Sequence, residues 1–135
     1  MSPNTRQQFI ADLTITALEG GIGYWSYATS YRHNDGAGPV TATILPDGVG
    51  EDEESVRGEW ELTEPYVFIV DRGVLIDSTV IERGIELLRA IPAYREGYWA
   101  SFLEAEESNG EDGDFDAETA DVIVQFGLFG ELVYG

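Results

Sequence analysis

The chain has 135 residues, 43% of them hydrophobic, which suits one globular domain (residues 1–135) with a buried core. It contains no cysteine, so disulfides, thiolate metal sites and a cysteine nucleophile are excluded, and a cytoplasmic location is expected. Its net charge of −19 disfavours direct binding to nucleic acid and to anionic membranes, and no apolar stretch is long enough to span a membrane.

Residues 5–19 are predicted to form an amphipathic helix that begins after Thr5. Its apolar residues recur at helical spacing: Phe9, Ile10, Leu13, Ala17 and Leu18. Gly20-Gly21 is expected to end this helix, because glycine readily adopts the left-handed conformation past a last turn.

The next segment, 22–31 (IGYWSYATSY), is rich in aromatic residues and favours a strand. Alternation would then place four side chains on one face: Trp25, Tyr27, Thr29 and Tyr31. A helical continuation is the alternative, in which one stripe is formed by Tyr24, Tyr27 and Tyr31.

Apolar runs and alternating patterns predict further strands at 40–45, 56–62, 66–70 and 74–76. Asp71-Arg72-Gly73 has the composition of a hairpin turn between the last two of these. Because the strands are clustered with short connections, the element order favours an antiparallel sheet of about four strands.

Three helices are predicted after the strands, at 78–89, 94–106 and 117–126, which completes an α+β fold with helices packed on the sheet. Asp77 or Ser78 is expected to cap the first of them, and Asp114 or Asp116 the last. The first has a predicted buried stripe formed by Val80, Ile81, Ile85 and Leu88, and the second an apolar face formed by Tyr98, Trp99, Phe102 and Leu103.

The negative charge is concentrated in two predicted loops, near 47–55 and 107–116. Segment 47–54 holds five acidic residues and segment 107–118 holds six, and neither contains arginine. This uneven distribution weakens mimicry of a nucleic-acid backbone, whose charges are evenly spaced. Salt adaptation and a basic protein partner remain as explanations.

No catalytic, cofactor or metal site is predicted. The sequence lacks a nucleophile elbow, a phosphate-binding loop and a His-Glu-x-x-His motif. The second acidic loop does not match a calcium-binding helix–loop–helix, because Ser108 and Thr119 fall where that template needs acidic ligands.

The candidate ligand-binding residues are Tyr24, Trp25, Tyr31, Arg32, His33 and Gln125. Tyrosine and tryptophan combine an apolar body with a polar tip, which suits a pocket for a flat ligand or a contact surface. Arg32 would bind a phosphate or carboxylate, and Gln125 would face a ligand or bond to a buried backbone group. The alternative is that these residues fill the interior and bond to ordinary partners.

Two stretches, ALEGGIGYW (17–25) and ADVIVQFGLFGELVYG (120–135), resemble a group of small uncharacterised proteins of actinobacterial phages and plasmids. Its members share a helix ending in Glu-Gly-Gly before Tyr-Trp, a middle Ile-x-x-Gly-Ile and a terminal Leu-Phe-Gly-Glu-x-Val-Tyr-Gly. The middle motif is similar to residues 81–85 of this chain (IERGI). The resemblance implies an accessory protein of a mobile element, and the group has no established activity to transfer.

The sequence therefore favours a non-enzymatic binding protein of a phage or mobile element that sequesters or inhibits a host component, such as a defence protein, in the host cytoplasm. One alternative is a binder of a nucleotide-type small ligand in an aromatic pocket. Another is a small enzyme using His33 or a pair of carboxylates. A third is a structural homodimer that buries exposed aromatic residues.

Overall fold

The computed structural model describes residues 6–32, 40–46, 69–70, 73–91, 98–110, 113 and 115–134. Its helices are α1 (Arg6–Thr16), which continues as a π-helical turn (Ala17–Gly21), α2 (Ser78–Arg89), α3 (Tyr98–Ser108) and α4 (Ala117–Phe129). Its strands are β1 (Ser26–Arg32), β2 (Thr41–Pro46), β3 (Ile69–Val70) and β4 (Gly73–Ile76). The predicted α+β class is confirmed.

The strands form one antiparallel sheet in the order β1-β2-β4-β3. Three strands have four or more residues, whereas β3 has only two, so the described sheet has three full strands instead of the predicted four. The strand predicted at 56–62 lies outside the described residues. Val70 pairs with Gly73, which agrees with a hairpin between β3 and β4.

The predicted strand over 22–31 begins later than expected, at Ser26. Ile22 to Trp25 form a turn, because the Ile22 carbonyl accepts hydrogen bonds from Trp25 N at 3.2 Å and Ser26 N at 3.1 Å. Tyr24 and Trp25 therefore precede the strand. A register shift between Ala28 and Ser30 also puts Tyr27 opposite Leu45 and Tyr31 opposite Ala42, so the two tyrosines lie on opposite faces.

The helix after Arg6 ends at Gly21, but neither Gly20 nor Gly21 has a positive φ, contrary to the predicted left-handed end. The need for glycine at Gly21 is steric. A Cβ there would lie 2.7 Å from the Ala117 carbonyl oxygen at the start of α4. This close approach places the turn that follows, with Tyr24 and Trp25, against α4.

Helices α2 and α4 pack closely through two glycines. A Cβ on Gly84 would lie 2.1 Å from the Ile123 carbonyl oxygen, and one on Gly127 would lie 2.1 Å from the Val80 carbonyl oxygen. Each helix begins at a predicted aspartate: the Asp77 carboxylate accepts from Val80 N, and that of Asp116 from Thr119 N. The predicted stripe of α2 is buried.

A buried carboxylate connects α1, α2 and α3. Glu106 accepts hydrogen bonds from Arg89 Nη1 at 2.9 Å and from Arg6 Nη2 at 3.4 Å. Phe102, on the predicted apolar face of α3, is buried next to Phe9, with ring centroids 6.3 Å apart. The two guanidinium groups offset the cost of burying the Glu106 charge.

One buried cluster joins apolar side chains of α1, α2, α3, α4, β2 and β4. Leu13, Ile44, Val74, Ile81 and Ile123 are among its fully enclosed members. None of the helices in the described parts of the chain combines the length and the apolar character needed to cross a membrane.

Candidate functional site

The Asp121 carboxylate on α4 is the centre of a buried polar network. Its Oδ1 accepts hydrogen bonds from Trp25 Nε1 at 2.7 Å and from Gln125 Nε2 at 2.9 Å. Its Oδ2 accepts one from the Tyr24 hydroxyl at 2.7 Å. A carboxylate is only 6% exposed here, and such burial is tolerated because three donors replace the lost water.

Gln125, one turn further along α4, bonds to the chain segment that follows the helix. Its Oε1 accepts from Val133 N at 2.9 Å and from Tyr134 N at 2.7 Å, while Nε2 donates to the Tyr134 carbonyl at 3.0 Å. With the bond to Asp121, both donors and both acceptor positions of the amide are used. Gln125 therefore fixes residues 133–134 against α4.

Trp25 belongs to the interior and to this network at once. Its ring is 3% exposed and stacks on Tyr134, with centroids 5.0 Å apart and an interplanar angle of 6°. Phe129 covers another side, at a centroid distance of 5.7 Å. The ring that the sequence singled out thus holds Tyr134 in place, as an offset-stacked aromatic pair does.

Tyr24 is the exposed member of the network. Its side chain is 57% exposed, although its hydroxyl reaches the buried Asp121 oxygen. Burial of the hydroxyl, and then the hydrogen bond to Asp121, raise the pKa of Tyr24 to about 12. The ring is therefore tethered at its polar tip while its faces remain open to a partner.

The structure brings together Tyr24, Trp25 and Gln125 of the predicted binding residues, and places the others elsewhere. The Tyr31 hydroxyl donates to Glu19 Oε2 at 2.9 Å. Burial and this bond raise the pKa of Tyr31 to about 12. Arg32 is exposed at the end of β1, and His33 lies outside the described residues.

A cavity of about 420 Å³ opens beside Tyr24, and we call it the Tyr24 cavity. Such a volume falls within the range of small-ligand sites. Its walls come from the π-helical turn, the first turns of α4 and the segment after α4. They are formed by Gly20, Gly21, Tyr24, Ala117, Glu118, Asp121, Val122, Leu132 and Tyr134.

The walls of the Tyr24 cavity carry negative charge and no arginine. Asp121 lines it from below, and Glu118 is exposed at its edge. Backbone N–H groups in the first turn of a helix often bind anions, but the Asp116 carboxylate already accepts from Thr119 N at 2.9 Å. The cavity therefore suits a cation better than a phosphate or carboxylate.

A larger cavity, of about 490 Å³, lies between α1 and α2, away from the predicted residues. Its floor includes Ile10 and Val40, and charged pairs stand at its rim. Arg6 Nε donates to Glu82 at 3.1 Å, and Arg83 lies 3.5 Å from Glu86. These pairings leave a rim of mixed sign without a preference for one ligand charge.

Among the described residues, no group of three or more histidine, aspartate or glutamate side chains is arranged to hold a metal ion. Two residues of the site were missed from the sequence, Glu118 and Tyr134. Asp121 could have been ranked higher, because a carboxylate four residues from a glutamine in an apolar helix must find buried donors. Tyr134 carried no such signal.

Comparison with known proteins gives no name to this site: no family model, no curated protein and no solved structure matches the chain. The resemblance to phage and plasmid proteins stays a prediction. The function is therefore argued from the site itself.

Proposed function

We propose that the chain is a non-enzymatic binding protein that docks on a host protein through a surface beside the Tyr24 cavity. The observation that carries this proposal is a cluster of exposed apolar side chains. Tyr24, Leu132 and Val133 are 57%, 45% and 52% exposed, and no other large hydrophobic side chain of the described residues is as exposed. We call these three residues the apolar patch.

The position of the apolar patch supports a docking role. Exposed apolar residues are usually scattered singly, and clusters rimmed by polar groups mark interaction sites. Tyr24 and Leu132 both line the Tyr24 cavity, and Val133 follows Leu132. The backbone of the patch is fixed by the Gln125 bonds to Val133 and Tyr134, so little conformational entropy is lost when a partner binds.

Charge supports a basic partner over a second copy of the chain. At a net charge of −19, two copies would repel each other, whereas a basic protein would be attracted. A nucleotide-type ligand is less well supported, because Glu118 and Asp121 line the cavity and Arg32 does not. The resemblance to proteins of mobile elements adds a host component, such as a defence protein, as the proposed target.

The test is capture of a protein from a lysate of an actinobacterial host by the wild-type chain and by two variants. Leu132→Ser/Val133→Ser removes most of the apolar patch without touching the backbone bonds. Glu104→Ser/Glu107→Ser alters the exposed side of α3, which lies outside the Tyr24 cavity.

We expect a protein that is captured by the wild type and by the α3 variant, but lost by at least tenfold with the patch variant. Capture should also weaken with added salt, because screening reduces attraction between exposed charges. Equal capture by the wild type and the patch variant would remove the apolar patch from the proposal.

A further inference from the structure

We infer that the Tyr24 cavity receives an arginine side chain of the protein partner. This inference rests on the proposed function and names the chemistry of the contact. Three properties of the cavity lead to it: the sign of its charge, the aromatic ring at its edge and the apolar patch next to it.

The charge of the cavity favours a cation. Glu118 and Asp121 bring up to two full negative charges to its wall. The opposing field is that of the α4 N-terminus, which is equivalent to about half a positive charge and is already met by the Asp116 cap. Two carboxylates outweigh half a charge, so a cationic group is favoured.

The hydrogen-bonding geometry favours a group with several donors. A carboxylate has about four lone-pair directions, and Asp121 uses three of them within the protein. The one that remains is on Oδ2, next to the Tyr24 hydroxyl. Glu118 adds a second, exposed carboxylate, so a planar donor that reaches two acceptors fits better than a point charge.

The Tyr24 ring favours guanidinium over ammonium. Guanidinium stacks on aromatic faces and is more weakly hydrated than ammonium, so it loses less on entering a partly apolar cavity. The Tyr24 ring is held by its hydroxyl and exposes its faces. The neighbouring apolar patch would take an apolar residue next to the arginine, as in interface sites centred on arginine and aromatic residues.

The Trp25 indole provides a built-in reporter for this contact. Its Nε1–H donates to Asp121 Oδ1 at 2.7 Å, so a cation that approaches the carboxylate should shift the indole resonance. The probes are acetyl-Arg-Leu-amide, its citrulline counterpart, which is neutral and of the same shape, and acetyl-Lys-Leu-amide. Each is titrated into uniformly ¹⁵N-labelled protein.

We expect a saturable shift of the Trp25 indole signal with the arginine probe, in the millimolar range of a single-side-chain contact. Binding of the citrulline probe should be at least tenfold weaker, and that of the lysine probe several-fold weaker. Glu118→Gln should weaken the arginine probe at least threefold, while Glu107→Gln, an equal change of charge on α3, should leave it within about twofold.

Equal affinity for arginine and citrulline probes, or equal effects of the two glutamate variants, would overturn the inference, because either result means non-specific attraction. No saturable shift would overturn it as well. If the patch variant nevertheless loses the captured protein, the docking proposal stands and only the arginine contact fails. If the arginine probe binds but the patch variant captures normally, the cavity binds arginine and the docking proposal fails.

Discussion

Gln125 Nε2 donates a 2.9 Å hydrogen bond to Asp121 Oδ1 inside the protein, across one turn of α4. The same pair of residue types occurs at the same spacing on α1, where Gln8 donates to Asp12 at 3.0 Å on an exposed face. The two pairs differ in burial and in what else they bond. This contrast allows the contribution of the buried network to be measured against an internal control.

Gln125→Ala should destabilise the protein by about 3 kcal/mol, because it leaves buried partners without hydrogen bonds and releases residues 133–134. Gln8→Ala should change the free energy of unfolding by less than about 0.5 kcal/mol, as expected for an exposed helical pair. Urea unfolding followed by tryptophan fluorescence measures both. Equal effects of the two substitutions would show that the buried network adds nothing.

The hydrogen bond between Trp25 and Asp121 should appear as an energetic coupling. A double-mutant cycle with Trp25→Phe and Asp121→Asn is expected to give a coupling free energy of about 1–2 kcal/mol, because the acceptor is a buried carboxylate. The parallel cycle with Trp99→Phe serves as the control, since Trp99 packs on Phe102 of α3. Coupling of the same size in both cycles would contradict the direct bond.

The close approach of α2 and α4 predicts a sign reversal for a common stabilising change. Glycine-to-alanine substitution inside a helix usually gains about 1 kcal/mol. At Gly84 and Gly127 the added Cβ would lie 2.1 Å from a carbonyl oxygen of the other helix, so the helices must separate. We expect Gly84→Ala and Gly127→Ala each to cost about 2–4 kcal/mol or to prevent folding.

Gly23→Ala is the matched control for the helix contact, because a Cβ there has no neighbour within 4 Å. Its unfolding free energy should stay within about 0.5 kcal/mol of the wild type. Thermal or urea unfolding of the three variants tests the contact. A stable Gly84→Ala protein with wild-type unfolding would place the two helices further apart than described.

High pH should destabilise the protein through Tyr24 and Tyr31, whose pKa is raised from 10.0 to about 12. Because the folded protein holds these two protons more tightly than the unfolded chain, their contribution is complete below pH 10. It is lost as the pH rises from 10 to about 12. The free energy of unfolding should therefore fall across this range.

Tyr24→Phe/Tyr31→Phe should show a shallower fall in stability than the wild type across the same pH range. Absorbance of tyrosinate in the folded wild type should show two late-titrating side chains that the double variant lacks. An unchanged pH slope in the double variant would assign the alkaline destabilisation to other groups.

Much of the fold follows from local signals. The caps Asp77 and Asp116, the buried stripe of α2 and the strand β2 were all predicted, because caps and periodic apolar spacing depend on neighbours in sequence. The start of β1 was predicted wrongly. Aromatic residues favour strands in general, but Tyr24 and Trp25 are held in a turn by bonds to Asp121, 97 and 96 residues away.

The candidate site was predictable only in part, for the same reason. The aromatic segment and Gln125 were identified from residue type, and the structure joins them through Asp121. The cavity itself depends on the segment after α4 folding back on Trp25, a long-range contact without a sequence pattern. Arg32 was grouped with Tyr24 by nearness in the chain, and the structure places it outside the cavity lining.

The most direct test of the account is photo-crosslinking from the apolar patch. A photoreactive phenylalanine analogue is placed at Leu132 in one protein and at Glu107, exposed on α3, in another, and each is irradiated in host lysate. We predict a covalent adduct with one host protein from position 132 alone, mapped by mass spectrometry to a peptide containing arginine. An adduct from position 107 with none from position 132 would contradict the proposed docking surface.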